Sequence, residues 1–265
     1  MKTGAIEERM EIVAMDELTA MMNRIRKEHS RSDCREEHEC TKCNDIGFVV
    51  SVDENGREFA CRCDCYEMRR TRELLQQSGI SEEFCGKSFD NFDTGNIQQL
   101  DNAKFKARQY VTDFMRFEHE KKNSILFSGQ VGAGKTHLGM AVCNELLNTH
   151  MVGVVYMSYR NVITEIKQTV MDKENYYAAI GRFCNARLLY IDDLLKGRST
   201  EADLNILYEL VNYRYMHNKP MVISTEKTPE ALIGFDEAVG SRILEMCRGN
   251  IVILRGQELN YRLYS

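Results

Sequence analysis

Ser124-Ile125-Leu126-Phe127-Ser128 runs directly into Gly129-Gln130-Val131-Gly132-Ala133-Gly134-Lys135-Thr136, and a helical pattern begins immediately behind it. An apolar run, a glycine-punctuated turn and a helix, in that order, frame a phosphate-binding loop. The glycines let successive backbone N–H groups converge on one anion, the lysine reaches the outer phosphates, and the following hydroxyl can ligate Mg²⁺. The helix expected over 135–147 adds the positive end of its dipole at the same point. This spacing predicts ATP or GTP, with Gly129, Val131, Gly132, Ala133, Gly134, Lys135, Thr136 and His137 around it and Mg²⁺ on Thr136.

Downstream, apolar strands alternate with helical patterns. Strands are expected over 125–128, 152–157, 188–191, 221–225 and 251–254, and helices over 161–171, 202–217 and 237–247. A helix over 100–120, carrying Phe105, Tyr110, Phe114 and Phe117, precedes them. Such alternation predicts an α/β fold, a parallel sheet covered on both faces. The strand Leu188-Leu189-Tyr190-Ile191-Asp192-Asp193-Leu194 ends in two carboxylates. It would deliver Asp192 beside a Thr136-bound Mg²⁺, with Asp193 placed to orient or deprotonate a water. Another strand, Met221-Val222-Ile223-Ser224-Thr225-Glu226, ends in hydroxyls, so Thr225 or Ser224 could sense a γ-phosphate. Arg242 and Arg248 are the candidates for an arginine that reaches a neighbouring subunit's nucleotide.

Upstream, apolar residues recur at helical spacing over 6–29, as Met10, Val13, Leu18, Met21 and Ile25. Cys40-Thr41-Lys42-Cys43 and Cys61-Arg62-Cys63-Asp64-Cys65 then flank a hairpin pattern with its turn at Asp53-Glu54-Asn55-Gly56. Two close cysteine pairs meeting at one end of a hairpin suit a tetrahedral zinc site. The expected ligands are Cys40, Cys43, Cys63 and Cys65; Cys61 could replace one of the second pair, and Cys34 and His38 are near enough to compete. A basic cluster, Arg69, Arg70 and Arg72, follows on a helical stretch. The organisation expected is an N-terminal helix and cysteine module over 1–85, a linker over 86–99 bearing Phe89 and Phe92, and a core domain over 100–265.

A net charge of -5 and a pI near 5.8 give no global attraction to nucleic acid, so any such contact must be a local patch. No apolar run approaches a membrane span, and the first residues lack the layout of a signal peptide, so no membrane and a cytoplasmic setting are expected. Ten cysteines in such a setting point to metal and not to disulfides.

Taken in order, the C-x₂-C and C-x-C module, the phenylalanine-bearing linker, the GQVGAGKTHL loop, and the LLYIDDL, VIST and SRILEMC segments resemble the DnaC/DnaI-like helicase loaders. These are a branch of the AAA+ ATPases, and phage-encoded versions look closest. The resemblance runs from Cys40 to the end of the chain. It implies ATP and Mg²⁺ on Lys135 and Thr136, with Asp192 supporting the metal. Asp193 stands where many AAA+ proteins carry glutamate, which implies slow hydrolysis stimulated by DNA or a partner. It also implies Thr225 as the polar sensor and Arg242 as the finger in a homo-oligomer formed in the ATP state, with Arg248 the alternative. Only 256–265 follow the last expected strand, so an AAA+ domain without a C-terminal lid is expected. The implied partner is a hexameric DnaB-type replicative helicase, bound through the N-terminal zinc module and delivered onto single-stranded DNA. The stretch 159–183, with Arg160, Lys167, Lys173, Tyr176, Tyr177 and Arg182, mixes cations and aromatics as a single-strand contact does. An IstB-like transposition helper ATPase is the alternative, although those proteins usually begin with a helical domain. A small-molecule kinase would need a second substrate pocket and a mobile lid.

Overall fold

The computed structural model describes residues 40–52, 56, 58–66, 68–70, 73, 86–256 and 259–261. The helix expected over 6–29, Cys34, His38 and Arg72 lie outside them. The chain divides into two compact units, Met1–Arg69 and Arg70–Ser265.

In the first unit, the turn carrying Cys40 and Cys43 leads into β1 (Phe48–Val52), which pairs antiparallel with β2 (Glu58–Arg62), Val50 facing Ala60. The apolar cluster here is small: buried Cys43, Cys63 and Cys65, with Cys40, Val49 and Met68 against them.

The second unit begins with α1 (Gln98–Phe117) and β3 (Ile125–Gly129), a strand whose five residues are all buried. There follow α2 (Lys135–His150), β4 (Val154–Ser158), α3 (Tyr159–Thr169), α4 (Lys173–Asn185) and β5 (Leu188–Leu194). The unit continues through α5 (Glu201–Met216), β6 (Met221–Thr225), α6 (Pro229–Phe235), α7 (Glu237–Met246) and β7 (Ile251–Leu254). All five strands are parallel, in the order β4-β5-β6-β3-β7. Near-continuous burial of β3, β5 and β6 is what a sheet covered on both faces demands. At the open edge of β7, Gln99 and Lys106 of α1 donate to the carbonyls of Ile253 and Ile251, at 2.9 and 3.2 Å. That occupies backbone groups which would otherwise invite another strand.

The order matters for the site. β6 lies between β3 and β5, so the strand that launches the glycine loop and the strand that ends in Asp192 are next-but-one neighbours, about 10 Å apart at ordinary strand spacing. Being parallel, both deliver their C-terminal ends to the same edge.

Two helices depart from the sequence reading. α4 occupies part of the stretch read as a cation-aromatic contact, and its N-cap Asp172 accepts from the N–H groups of Glu174 and Asn175. α6 starts where Thr228 caps and Pro229 fills the first helical position.

Candidate nucleotide site

A cavity of about 870 Å³ opens at the C-terminal edge of the sheet, with Gly132, Gly134, Lys135, Thr136, Asp192 and Asp193 in its wall. Val131, Ala133 and His137 line it too. Gly129, expected at the nucleotide, is instead the last residue of β3 and lies against Leu254, so its role is to let two strands approach. Gly134 is the N-cap of α2 at φ 81, a left-handed conformation that glycine adopts without strain, and no side chain caps this helix. The opening N–H groups of α2 thus face the cavity as an anion site. Lys135 is buried, its Nζ donating to the Gln130 carbonyl at 2.7 Å. Burial lowers its pKa, against the pull of the Glu226 and Asp193 carboxylates.

Asp192 is 7% exposed and gathers four hydroxyls. Thr136, Tyr190 and Ser224 donate to its Oδ1 at 3.0, 2.8 and 2.5 Å, and Tyr156 donates to Oδ2 at 3.0 Å. Burial and the Asp192 charge push both tyrosines' pKa values up, so they remain donors at neutral pH. A buried carboxylate that accepts from four hydroxyls is fixed in position. The contact between Thr136 and Asp192 joins the phosphate loop to the acidic strand end as a pair able to hold Mg²⁺.

Asp193 sits in an irregularity of the β5–β6 pairing at φ 54, its N–H donating to Ser224 Oγ at 2.9 Å. Such a bulge re-aims one side chain out of the ladder. Its carboxylate meets Lys196 at 2.7 Å, and Lys196 lies 3.4 Å from Glu226. The two hydroxyls at the end of β6, Ser224 and Thr225, are both fully buried and neither lines the cavity. Thr225 donates to the Leu194 carbonyl at 2.8 Å, and Ser224 is the hydroxyl on Asp192. Arg242 stands outside this cavity, on α7. Its guanidinium lies 5.3 and 5.5 Å from the rings of Tyr208 and Tyr215 and donates to the Ala238 carbonyl. Of the cations and rings read as a DNA contact, Lys167 pairs with Asp203, Arg182 with Glu165, and Tyr176 donates to Glu209. Arg160, Lys173 and Tyr177 are exposed.

Several cavity residues escaped the sequence reading. The stretch expected as a linker lies along the phosphate loop. His137 Nε2 is bonded to the Ser88 carbonyl and to Asn91 Oδ1, and its ring packs edge-on against Phe92. Ile97, Leu100 and Leu259 extend an apolar wall suited to a nucleobase. The tail returns to the loop: Tyr261 N–H donates to the Gly132 carbonyl at 3.2 Å, and the Gln130 amide pairs with the Gly256 backbone. Phe92 is read from the sequence as a linker aromatic and not as a cavity residue, and Tyr261 carries a signal only as an aromatic outside the helical and strand periodicities.

In the first unit the Sγ atoms of Cys40, Cys43, Cys63 and Cys65 lie within 4.8 Å of one another, Cys40 to Cys63 at 3.7 Å and Cys43 to Cys65 at 3.3 Å. Four thiolates at about 2.3 Å from one zinc ion would stand about 3.8 Å apart, so this set fits the metal. Cys61 faces elsewhere, toward the Ser51 hydroxyl and the Val49 carbonyl. The backbone N–H groups of Cys43 and Lys42 lower the Cys40 pKa to about 7, favouring the thiolate a ligand must be. Burial instead raises the thiols of Cys63 and Cys65, a cost that a bound cation would offset.

A parallel sheet with one strand inserted between the phosphate-loop strand and the acidic strand, and a hydroxyl-bearing tip between them, is the arrangement of a phosphate-loop nucleotide hydrolase of the kind to which AAA+ ATPases belong. The description "Bacterial DnaA ATPAse domain" matches residues 85–247. The chain is 38% identical over 234 residues to the phage-like element PBSX protein XkdC of Bacillus subtilis, covering 85% of this chain and 86% of that one. It is 28% identical to the replicative helicase loader DnaC of Escherichia coli K12, over 69% of this chain and 70% of that one. A crystal structure of the DnaC helicase loader superposes with a TM-score of 0.57 at 18% identity, over 66% of this chain and 99% of that one. The chain belongs to the bacterial DnaA ATPase domain family and is a DnaC-like AAA+ protein, a replication-associated ATPase. No described helix is long and apolar enough to cross a membrane.

Proposed function

We propose that the protein loads a DnaB-type hexameric replicative helicase onto single-stranded DNA and uses ATP binding and slow hydrolysis as its assembly and release switch. The observation that carries this reading is the 3.0 Å contact between Thr136 and Asp192 at the floor of the cavity, beneath the uncapped start of α2. Lys135 and the α2 amides take the phosphates, and the wall of Phe92, Ile97 and Leu259 takes the base. Thr136 and Asp192 would hold Mg²⁺, which when bound neutralises charge on the β- and γ-phosphates. Asp193 orients the attacking water. Its side chain is one methylene shorter than glutamate, consistent with slow turnover. Arg242 lies outside its own cavity and serves a neighbouring subunit in a homo-oligomer, its two tyrosines holding it ready. Cys40, Cys43, Cys63 and Cys65 would hold a structural Zn²⁺ in a module over 1–85 that contacts the helicase. Arg160, Lys173 and Tyr177 meet single-stranded DNA.

The full chain, its cognate helicase and a circular single strand test this in one assay. Lys135→Ala should abolish nucleotide binding and loading while leaving helicase capture intact, and phosphate release by the wild type should rise with helicase or DNA. Loading undiminished by Lys135→Ala, or phosphate release stimulated by nucleosides alone, would overturn the reading.

A further inference from the structure

Lys196 is a cation in the cavity wall that belongs neither to the phosphate loop nor to the acidic strand. The loop behind β5 carries it back over the strand end. Asp193 and Leu195 both have left-handed backbones, at φ 54 and 57, and the Lys196 N–H closes a turn onto the Asp193 carbonyl at 3.1 Å. Its ammonium lies between two carboxylates, one on β5 and one just past the end of β6, 2.7 Å from Asp193 and 3.4 Å from Glu226. All three side chains line the same cavity as Lys135 and Thr136.

Two acidic groups at the end of a cavity built for a polyanion are an electrostatic problem. Asp93, Asp192, Asp193 and Glu226 line it against Lys87, Lys135 and Lys196, so Lys135 alone would face both Asp193 and Glu226. An ammonium between them removes that repulsion. The existing pairs are half-exposed, Lys196 at 48%, Asp193 at 35% and Glu226 at 32%, and solvent screens pairs of that kind. A phosphate oxygen offers the same ammonium a stronger, charge-assisted bond, and four rotatable methylenes let it swing without moving the backbone. The exchange trades two solvent-screened ion pairs for one charge-assisted bond.

We propose that Lys196 is a second triphosphate lysine, supplied in cis, which leaves Asp193 and Glu226 for the γ-phosphate when nucleotide enters. The inference rests on the ATP-binding reading above. Its consequence is a base released only by substrate. With Lys196 on the γ-phosphate, Asp193 can accept a proton from water as the water oxygen bonds to the γ-phosphorus. The bond from that phosphorus to the β–γ bridging oxygen breaks, and ADP leaves with its electron pair.

Calorimetric titration of the full chain with ADP and with a non-hydrolysable ATP analogue, both with Mg²⁺, tests the assignment. Lys196→Met should lower affinity for the triphosphate by about tenfold to a hundredfold and leave ADP affinity within about twofold. Lys135→Met should weaken both ligands. Melting without nucleotide should be the same for Lys196→Met and the wild type, and Lys196→Gln serves as the second variant should methionine disturb folding. A wild-type ratio of the two affinities in both Lys196 variants would overturn the role of Lys196 while leaving the nucleotide site standing. A wild-type chain that binds neither ligand would overturn the phosphate-loop reading, and this assignment with it.

Discussion

Asp192 shows how one residue's setting is built by others far from it in sequence. Tyr190 donates to that carboxylate at 2.8 Å with its ring lying directly under α2, and the close approach is made at Gly139. A Cβ there would fall 2.7 Å from the Cζ and hydroxyl of Tyr190, which is fully buried and has nowhere to retreat. Gly139→Ala should therefore cost about 1–3 kcal/mol in urea denaturation by overpacking and lower ATP hydrolysis about tenfold or more in the folded fraction as the carboxylate is re-aimed. Gly181→Ala is the matched control: the nearest atom to its Cβ is 3.9 Å away, so it should gain about 0.5–1 kcal/mol in urea denaturation and hydrolyse ATP as the wild type does. Wild-type phosphate release by Gly139→Ala would refute the coupling. His137 gives a pH prediction with a definite sign. Burial lowers its pKa from 6.5, and both partners of Nε2 are acceptors, so the folded state prefers the neutral ring with its proton on that nitrogen. The unfolded chain binds the proton more readily, so this contribution is present above pH 6.5 and is lost as pH falls through the folded value. The melting-temperature gap between wild type and His137→Gln should shrink on acidification through that window; a gap constant from pH 8 to pH 5 would contradict it.

At the scale of elements, the five strands were legible because each is an apolar run that leads to a glycine, carboxylate or hydroxyl boundary. α4 and α6 were not, although Asp172 and the Thr228-Pro229 pair are ordinary helix-start signals. α4 buries only Ile180, Phe183 and Cys184, too narrow a stripe to stand out among Arg, Lys and Tyr. What fixes α4 is a residue on another helix. Arg214 of α5 is fully buried and donates to the carbonyls of Phe183, Cys184, Ala186 and Pro220, between 2.6 and 3.2 Å. It caps the C-terminal end of α4 and ties it to the start of β6. Burial lowers its pKa to about 9, which still leaves the guanidinium charged at neutral pH. Arg214→Met should cost about 3–5 kcal/mol in urea denaturation by orphaning buried carbonyls, and Arg214→Lys should recover little, because an ammonium cannot fork across four acceptors. A loss under 1 kcal/mol for Arg214→Met would show that water replaces it.

Across the whole molecule, what the sequence could disclose of the site follows chain distance. Lys135, Thr136 and Asp192 sit in short motifs whose spacing encodes their chemistry. Phe92, Tyr156, Lys196 and Tyr261 reach the same cavity from four separate segments, and only the order of strands and the return of the tail bring them there. The cysteine module is the reverse case, legible because its four thiols are close in sequence as well as in space. Its size sets the last prediction. Apart from cysteines, the described core of that unit has only Val49 and Met68 against it, and so small a module does not ordinarily fold on apolar burial alone. Zinc binding to comparable sites contributes about 10–16 kcal/mol, more than enough to hold a hairpin together. The unit Arg70–Ser265 has its own sheet and core and needs no such support. On the zinc and helicase reading proposed above, treating the full chain with a chelator, or Cys40→Ser with Cys43→Ser, should erase the amide signals of β1 and β2 and abolish helicase capture. Nucleotide affinity and the melting of the sheet-bearing unit should be unchanged. Protein purified without stoichiometric zinc whose hairpin amides remain dispersed would show that the four thiols pack as a core of their own.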